Sequence, residues 1–103
     1  MFNIRNLFGK PKQDIKAIYQ NGAIVIDVRS TDEFRAGHFE GAVNMPLDTI
    51  AGKVENLRQK QKPVILVCRS GARSGVATNI LKNACLEAYN GGGWTNFKTT
   101  VAN

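Results

Sequence analysis

One cysteine, two arginines and two glycines lie in a short segment, 68–75, that follows a run of four apolar residues. The run predicts a buried strand, and the apolar positions after the segment recur at helical spacing. A loop between a strand and a helix start directs several backbone N–H groups to one point. A thiol there, at Cys68, is favoured in its charged form, because the thiolate accepts these hydrogen bonds and lies at the positive end of the helix dipole. The pattern therefore predicts a reactive sulfur that receives an anionic substrate.

The segment supplies charge and hydroxyl groups but no general base. Arg69 and Arg73 add positive charge, and the segment contains no His, Asp or Glu. A thiol with a pKa of about 8.5 is only a few per cent thiolate at neutral pH. One or two charge-assisted hydrogen bonds, each contributing about 1.5–3 kcal/mol, are enough to make the thiolate dominant near neutral pH. Ser70 and Ser74 are interpreted as helix caps, and donation to a bound sulfur is an equal alternative for Ser74.

The totals indicate a single small globular domain. The chain has 103 residues, 43% of them hydrophobic and 21% charged, with a net charge of +6 that favours anions. No basic stretch interleaved with aromatic residues indicates a nucleic-acid partner, and no apolar segment has the length of a signal peptide or a membrane span. We therefore expect a cytoplasmic chain with neither nucleic-acid nor membrane partners. Residues 1–12 are predicted to be a flexible arm, and 13–103 a single domain.

The two cysteines, Cys68 and Cys85, are expected to be reduced. With His38 as the sole histidine they make a poor metal site, so we predict no metal and no cofactor. Cys85 is expected to pack in the core or at its edge. The alternative is that it forms a disulfide with Cys68 as a resolving thiol.

Alternating strand and helix patterns predict an α/β fold, with a small, mainly parallel sheet flanked by helices on both faces. The predicted strands are 24–28, 42–45, 64–67 and 86–89. Helices are predicted at 14–20, 31–36 (after the capping box of Ser30 and Glu33), 47–57, 76–84 and 94–101, with 90–93 as a loop. The residues expected on the buried face of the helix after Cys68 are Val76, Ala77, Ile80, Leu81 and Ala84.

Ligands of such folds bind beyond the carboxyl ends of the strands. Cys68 lies at one such end and Asp27 and Arg29 at another, so the two segments are expected at the same edge of the sheet. Asp27 and Arg29 are predicted to brace neighbouring loops near the site through hydrogen bonds. His38 is interpreted as a hydrogen-bonded structural residue, and Trp94 as a core anchor.

Several motifs in this order resemble a rhodanese-like domain of the single-domain thiosulfate sulfurtransferase type. The matching segments are 26–29, 33–34, 37–42 and 44–46, then the loop 68–74 and the closing motif 92–94. The resemblance covers about residues 13–97. It implies sulfur transfer, in which the loop cysteine takes the outer sulfur of a donor such as thiosulfate, becomes a persulfide, and passes that sulfur to cyanide or a thiol.

The resemblance also implies roles for individual residues. Cys68 is the nucleophile and persulfide carrier, and Arg73 matches the family's loop arginine, which helps to hold the donor's negative charge. Arg69 occupies a variable position. The residues expected to bind substrate are Arg69, Ser70, Gly71, Ala72, Arg73 and Ser74. The expected partners are a small anionic sulfur donor and a thiol or cyanide acceptor, with a protein donor or acceptor as an alternative.

Three other functions are alternatives to an enzyme that transfers sulfur. A persulfide carrier that serves partner proteins uses the same loop. A cysteine-based phosphatase has five residues between its cysteine and arginine, whereas four lie between Cys68 and Arg73, and Ser74 stands at the phosphatase arginine's position. A redox sensor is suggested by the expected low pKa and exposure of the thiol. The spacing and the resemblance favour sulfur transfer.

Overall fold

Four parallel strands form the sheet of the computed structural model, which describes residues 14–102. In chain order they are β1 (Ile24–Asp27), β2 (Val43–Asn44), β3 (Val64–Cys68) and β4 (Ala88–Gly93), arranged as β2-β1-β3-β4. The helices are α1 (Ile15–Gln20), α2 (Thr31–Ala36), a 3-10 helix (Leu47–Lys53), α3 (Val54–Lys60), α4 (Ala72–Asn83) and α5 (Trp94–Val101). The predicted arm, residues 1–12, lies outside the described residues, and its boundary stays a prediction.

The sheet has a separate apolar layer on each face, because side chains alternate along a strand. Val64, Leu66 and Cys68 of β3 face one layer, and Ile65 and Val67 face the other. The first layer is completed by the 3-10 helix, α3 and α4, and the second by α1, α5 and Phe39. The predicted α/β fold with helices on both faces is confirmed.

Local sequence signals correctly predict where the short helices begin. The Asp14 side chain accepts a hydrogen bond from the Ala17 N–H at the start of α1. At the start of α2, Ser30 Oγ accepts from the Glu33 N–H, while Glu33 Oε1 accepts from the Ser30 N–H. The predicted capping box is confirmed.

The last strand differs from the prediction, because the glycines at 91–93 belong to β4 and not to a loop. A Cβ on Gly91 would lie 2.8 Å from Ile65 Cγ2, and one on Gly93 would lie 2.6 Å from the Arg69 carbonyl oxygen. Glycine is therefore required by the close approach of β4 to β3 and to the loop after it. The pairing register shifts between Leu66 and Val67 to accommodate this segment.

The buried face of α4 also differs from the prediction. Val76 is 52% exposed, and the buried positions are Ser74, Ala77, Thr78 and Leu81. Ala77 and Leu81 are buried as predicted, whereas apolar periodicity could not predict Ser74 and Thr78 because they are polar. Thr78 satisfies its hydroxyl within the helix, where Oγ1 donates to the Ser74 carbonyl at 2.7 Å.

The predicted helix 47–57 is divided in two. It begins as the 3-10 helix Leu47–Lys53 and continues as α3. Ile50 and Leu57 are buried as the stripe predicts, whereas Ala51 is exposed.

Across residues 14–102, no helix combines the length and apolar character needed to span a bilayer.

Because two side chains of α4, Leu81 and Val76, differ in exposure, truncating them should lower the free energy of unfolding by unequal amounts. Leu81→Ala removes a fully buried side chain and should lower the free energy of unfolding by about 2–5 kcal/mol. Val76→Ala, the control, should change it by no more than about 0.5 kcal/mol because Val76 is half exposed. Urea unfolding measures both values, and equal losses would contradict the orientation of α4.

Candidate active site

The Cys68 sulfur lies at the carboxyl end of β3 inside a tight turn of backbone. Gly71, with a φ of 99°, precedes the first residue of α4 and turns the chain around the sulfur. Sγ accepts a hydrogen bond from the Gly71 N–H at 3.0 Å and from the Ser74 N–H at 3.4 Å. Only 1% of the Cys68 surface is exposed. The thiol is therefore buried, so the exposure expected for a redox sensor is wrong, but the nearest partners of the sulfur are polar donors.

These donors decide the charge of the sulfur. Burial by itself raises the pKa of the Cys68 thiol, because it penalises the charged form. Hydrogen bonds from the Ser74 hydroxyl and N–H, and from the N–H groups of Gly71 and Ser70, lower that pKa and outweigh the effect of burial. The pKa of Cys68 is consequently below the ordinary value of a thiol.

Asn90 of β4 completes the site, and sequence reasoning missed it because it placed residues 90–93 in a loop. Its Nδ2 donates to the Gly71 carbonyl at 3.0 Å, and its Oδ1 accepts from Ser74 Oγ at 2.7 Å. Ser74 Oγ also lies 3.3 Å from Cys68 Sγ. The polar residue type next to three glycines was the available signal, but no local spacing connects Asn90 to the loop.

Arg73 is paired with a carboxylate in the structure. Its guanidinium donates to Glu33 Oε1 at 2.7 Å and to Oε2 at 3.0 Å, a bidentate contact between α4 and α2. Both side chains are about one third exposed, at 39% for Arg73 and 32% for Glu33. Hydrogen bonds from Arg73 and from the Ser30 N–H hold the pKa of Glu33 at about 2. Glu33 was predicted only as a capping residue, so its second contact is an addition to the site.

The other loop residues differ in their exposure. Arg69, Ser70 and Ala72 are exposed, and Ser74 is fully buried. Ser74 therefore faces the sulfur and the sheet, whereas the Arg69 side chain is in solvent.

Asp27 and Arg29 form a buried ion pair at the same edge of the sheet. Arg29 Nε donates to Asp27 Oδ1 at 2.9 Å, and Arg29 Nη2 donates to Oδ2 at 2.7 Å. The same Nη2 donates to the Gly37 carbonyl at 2.7 Å, so the pair ties the end of β1 to the turn after α2. The Trp94 ring lies 5.2 Å from the Arg29 guanidinium carbon, and Trp94 is half-buried in the second apolar layer.

Cys85 and His38 lie apart from this chemistry. Cys85 is exposed, so its expected packing in the core is wrong. It follows the far end of α4, ~18 Å from the helix start by the length of a 12-residue helix. Since the Cα atoms of a disulfide lie within about 7 Å, Cys85 cannot act as a resolving thiol within this fold. His38 is exposed, with Nδ1 2.8 Å from the Phe34 carbonyl.

No three His, Cys, Asp or Glu side chains within residues 14–102 gather as metal ligands would.

Comparison with known proteins identifies the family. A protein-family model described as the rhodanese-like domain matches residues 11–100, and the chain belongs to this family. The predicted resemblance is thereby confirmed.

Individual relatives agree with this assignment. The uncharacterized protein YqhL of Bacillus subtilis (strain 168) is 41% identical over 80 residues, which cover 77% of this chain and 62% of that protein. Thiosulfate sulfurtransferase 18 of Arabidopsis thaliana is 40% identical over 79 residues, covering 64% of this chain and 58% of that protein. The chain thus spans less than two thirds of the length of these relatives.

A solved structure shows the same fold. Reduced CoADR-RHD of Bacillus anthracis superposes with a TM-score of 0.71 and 31% identity, covering 96% of this chain and 18% of that one.

The donors around Sγ predict that Cys68 ionises below the ordinary pKa of a thiol, about 8.5. In a Cys85→Ser variant, which leaves one thiol, the rate of alkylation by iodoacetamide should rise with pH to a midpoint below that value. Ser74→Ala should raise the midpoint, because it removes the hydroxyl donor. A midpoint above 8.5 in the parent would contradict the arrangement of donors around the sulfur.

The Glu33–Arg73 pair predicts a loss of stability in acid. Because the pKa of Glu33 is about 2 in the folded chain, below the ordinary value of 4.5, the unfolded chain binds the proton first as pH falls. The contribution is complete above pH 4.5 and is lost as pH falls towards 2. Glu33→Gln, which retains a capping side chain, should reduce this dependence in urea unfolding measured across a pH series.

The matched control is Glu55→Gln, which breaks the exposed ion pair with Arg58 on α3. It should keep the acid dependence of the parent chain. Equal dependence in the parent and in Glu33→Gln would show that Arg73 does not stabilise the Glu33 carboxylate.

Proposed function

We propose that the chain is a thiosulfate sulfurtransferase that carries sulfur as a persulfide on Cys68. The observation that carries the proposal is the convergence of N–H groups on Cys68 Sγ. These groups favour a thiolate without a general base, and the same donors suit the anionic persulfide. Alternating thiol and persulfide forms predict ping-pong kinetics.

The first half-reaction transfers one sulfur atom from thiosulfate to Cys68. The Cys68 thiolate attacks the outer sulfur of thiosulfate, a new S–S bond forms on Sγ, and the bond to the sulfonate sulfur breaks. Sulfite leaves with the electron pair of that bond, and the persulfide keeps one negative charge. In the second half-reaction, cyanide or a thiolate attacks the outer sulfur, thiocyanate or a new persulfide forms, and the Cys68 thiolate is regenerated.

Arg73 is the residue we assign to the donor's charge. It belongs to the first turn of α4 and interacts electrostatically with both Cys68 and Glu33. The N–H groups of a first helical turn have no carbonyl partner within the helix, so those of Ala72 and Arg73 are further donors for an anion. The pairing of Arg73 with Glu33 must loosen or be shared when a dianionic donor binds, since one guanidinium then serves two anions.

That pairing also favours a second function, in which the chain accepts persulfide sulfur from a protein. A protein persulfide carries less charge than thiosulfate and depends less on a free guanidinium. The cysteine loop would be unchanged, and only the donor would differ.

Turnover of thiosulfate and cyanide to thiocyanate tests the proposal. Cys68→Ser should abolish turnover. Arg73→Ala should lower kcat/KM for thiosulfate by roughly 10- to 100-fold, because it removes a charge-assisted contact. Arg58→Ala is the matched control, since it removes the same charge from α3, where Arg58 contacts Glu55 and the Ala84 carbonyl.

Intact-mass spectrometry separates the two functions. Addition of one sulfur atom to the parent chain by thiosulfate, but not to Cys68→Ser, supports the enzyme. Sulfur gained only from a persulfide-bearing protein supports the carrier, and failure to gain sulfur from either donor would overturn both.

A further inference from the structure

The Ser74 hydroxyl has one hydrogen and two acceptors within reach. Ser74 Oγ lies 2.7 Å from Asn90 Oδ1 and 3.3 Å from Cys68 Sγ. A hydroxyl group donates a single hydrogen, while its oxygen retains lone pairs that accept. The amide oxygen and the sulfur therefore compete for the same hydrogen, and the sulfur of a neutral thiol can instead donate to the Ser74 oxygen.

Two other contacts fix which end of the Asn90 amide faces Ser74. Oδ1 also accepts from the Gly92 N–H at 2.9 Å, and Nδ2 donates to the Gly71 carbonyl at 3.0 Å. A flipped amide would place Nδ2 against the Gly92 N–H, which is also a donor, and Oδ1 against the Gly71 carbonyl, which is also an acceptor. The space for Nδ2 depends on Gly75, where a Cβ would lie 3.2 Å from that nitrogen. Asn90 is thus held with its acceptor towards the hydroxyl.

We propose that Asn90 is a positioning residue that holds the Ser74 hydrogen while the Cys68 thiol is neutral and yields it to the sulfur when the sulfur becomes an anion. In the neutral state, Sγ–H donates to Ser74 Oγ, and Ser74 Oγ–H donates to Asn90 Oδ1. In the anionic state, the hydroxyl turns to Sγ, because a hydrogen bond to a charged acceptor is stronger. Oδ1 keeps the Gly92 N–H, so its release of Ser74 leaves no acceptor unpaired.

This arrangement limits how far the hydrogen bond from Ser74 stabilises the anion. Turning the hydroxyl towards the sulfur costs the Asn90 contact, so the anion gains less than it would from a free hydroxyl. A thiolate that is stabilised too strongly is a poorer nucleophile, since nucleophilicity falls as the pKa of the thiol falls. Asn90 would therefore keep the Cys68 thiolate reactive by limiting its stabilisation, an inference that rests on the proposed role of Cys68 as nucleophile.

Charged groups around the sulfur are left intact by changes at Asn90. They are Arg73 on α4, Glu33 on α2, Asp27 at the end of β1 and the Arg29 paired with it. β4 itself contributes no charged side chain, because its sequence is AYNGGG. A change of ionisation in an Asn90 variant would thus report on the hydroxyl and the loop.

The test is the pH dependence of Cys68 alkylation by iodoacetamide in a Cys85→Ser parent. Asn90→Ala should lower the midpoint, because the hydroxyl then donates only to the sulfur. At a pH below the parent midpoint, this corresponds to roughly 2- to 10-fold more thiolate. Ser74→Ala should shift the midpoint upwards. In the Ser74→Ala background, Asn90→Ala should no longer lower it.

A purely structural role gives the opposite result. If Asn90 only held the loop through the Gly71 carbonyl, Asn90→Ala would loosen the N–H groups and raise the midpoint with or without the Ser74 hydroxyl. The proposal is overturned if Asn90→Ala raises the midpoint, or if it leaves the midpoint unchanged both with and without the Ser74 hydroxyl.

A second variant covers a failure of Asn90→Ala to fold, which thermal melting by circular dichroism would reveal. Asn90→Asp keeps an acceptor for Ser74 and should raise the midpoint more in the presence of the hydroxyl than in the Ser74→Ala background. Equal rises would overturn the proposal. Alkylation requires no sulfur donor, so these outcomes are independent of whether thiosulfate loads Cys68.

Discussion

The convergence of backbone N–H groups on one buried sulfur is the constraint on which the site depends. Burial opposes a charge on Cys68, and only donors held at hydrogen-bond distance reverse that preference. The donors are fixed by how closely the backbone of β4 approaches the loop. A Cβ on Gly71 would lie 3.3 Å from the Gly92 Cα, and one on Gly93 would lie 2.6 Å from the Arg69 carbonyl oxygen. Glycine at these positions therefore permits the backbone approach that holds the donors around the sulfur.

Two Arg–carboxylate pairs organise the charge at this edge of the sheet in different ways. The Asp27–Arg29 pair is almost fully buried and bidentate, and Arg29 Nη2 also donates to the Gly37 carbonyl. Such a pair is weak evidence of net stability but costly to break, since removing one partner leaves a buried charge. The Glu33–Arg73 pair is partly exposed, so separating its members costs less. One pair therefore joins β1 to the turn after α2 from a buried position, and the other joins α2 to α4 at the surface.

The short-range features of the chain were predicted well, and the reason is physical. The capping box, the loop that follows β3 and the predicted strand of β3 each depend on residues a few positions apart. The last strand was mispredicted because three glycines in sequence are typical of a loop. In the fold Gly91 and Gly93 are required by contact with Ile65, Val67 and the loop after Cys68, and Gly92 has a φ of 80°.

The sequence by itself determined the family, the α/β architecture and the choice of Cys68 as the candidate reactive sulfur, because the strand, the loop and the helix start are consecutive. Only the tertiary structure decided the partners that come from elsewhere in the chain. Glu33 meets Arg73 from 40 positions away, and Asn90 meets Ser74 from 16. It also decided that Cys85 is exposed beyond the far end of α4. These contacts depend on how helices and strands pack against one another, which no local spacing of residues encodes.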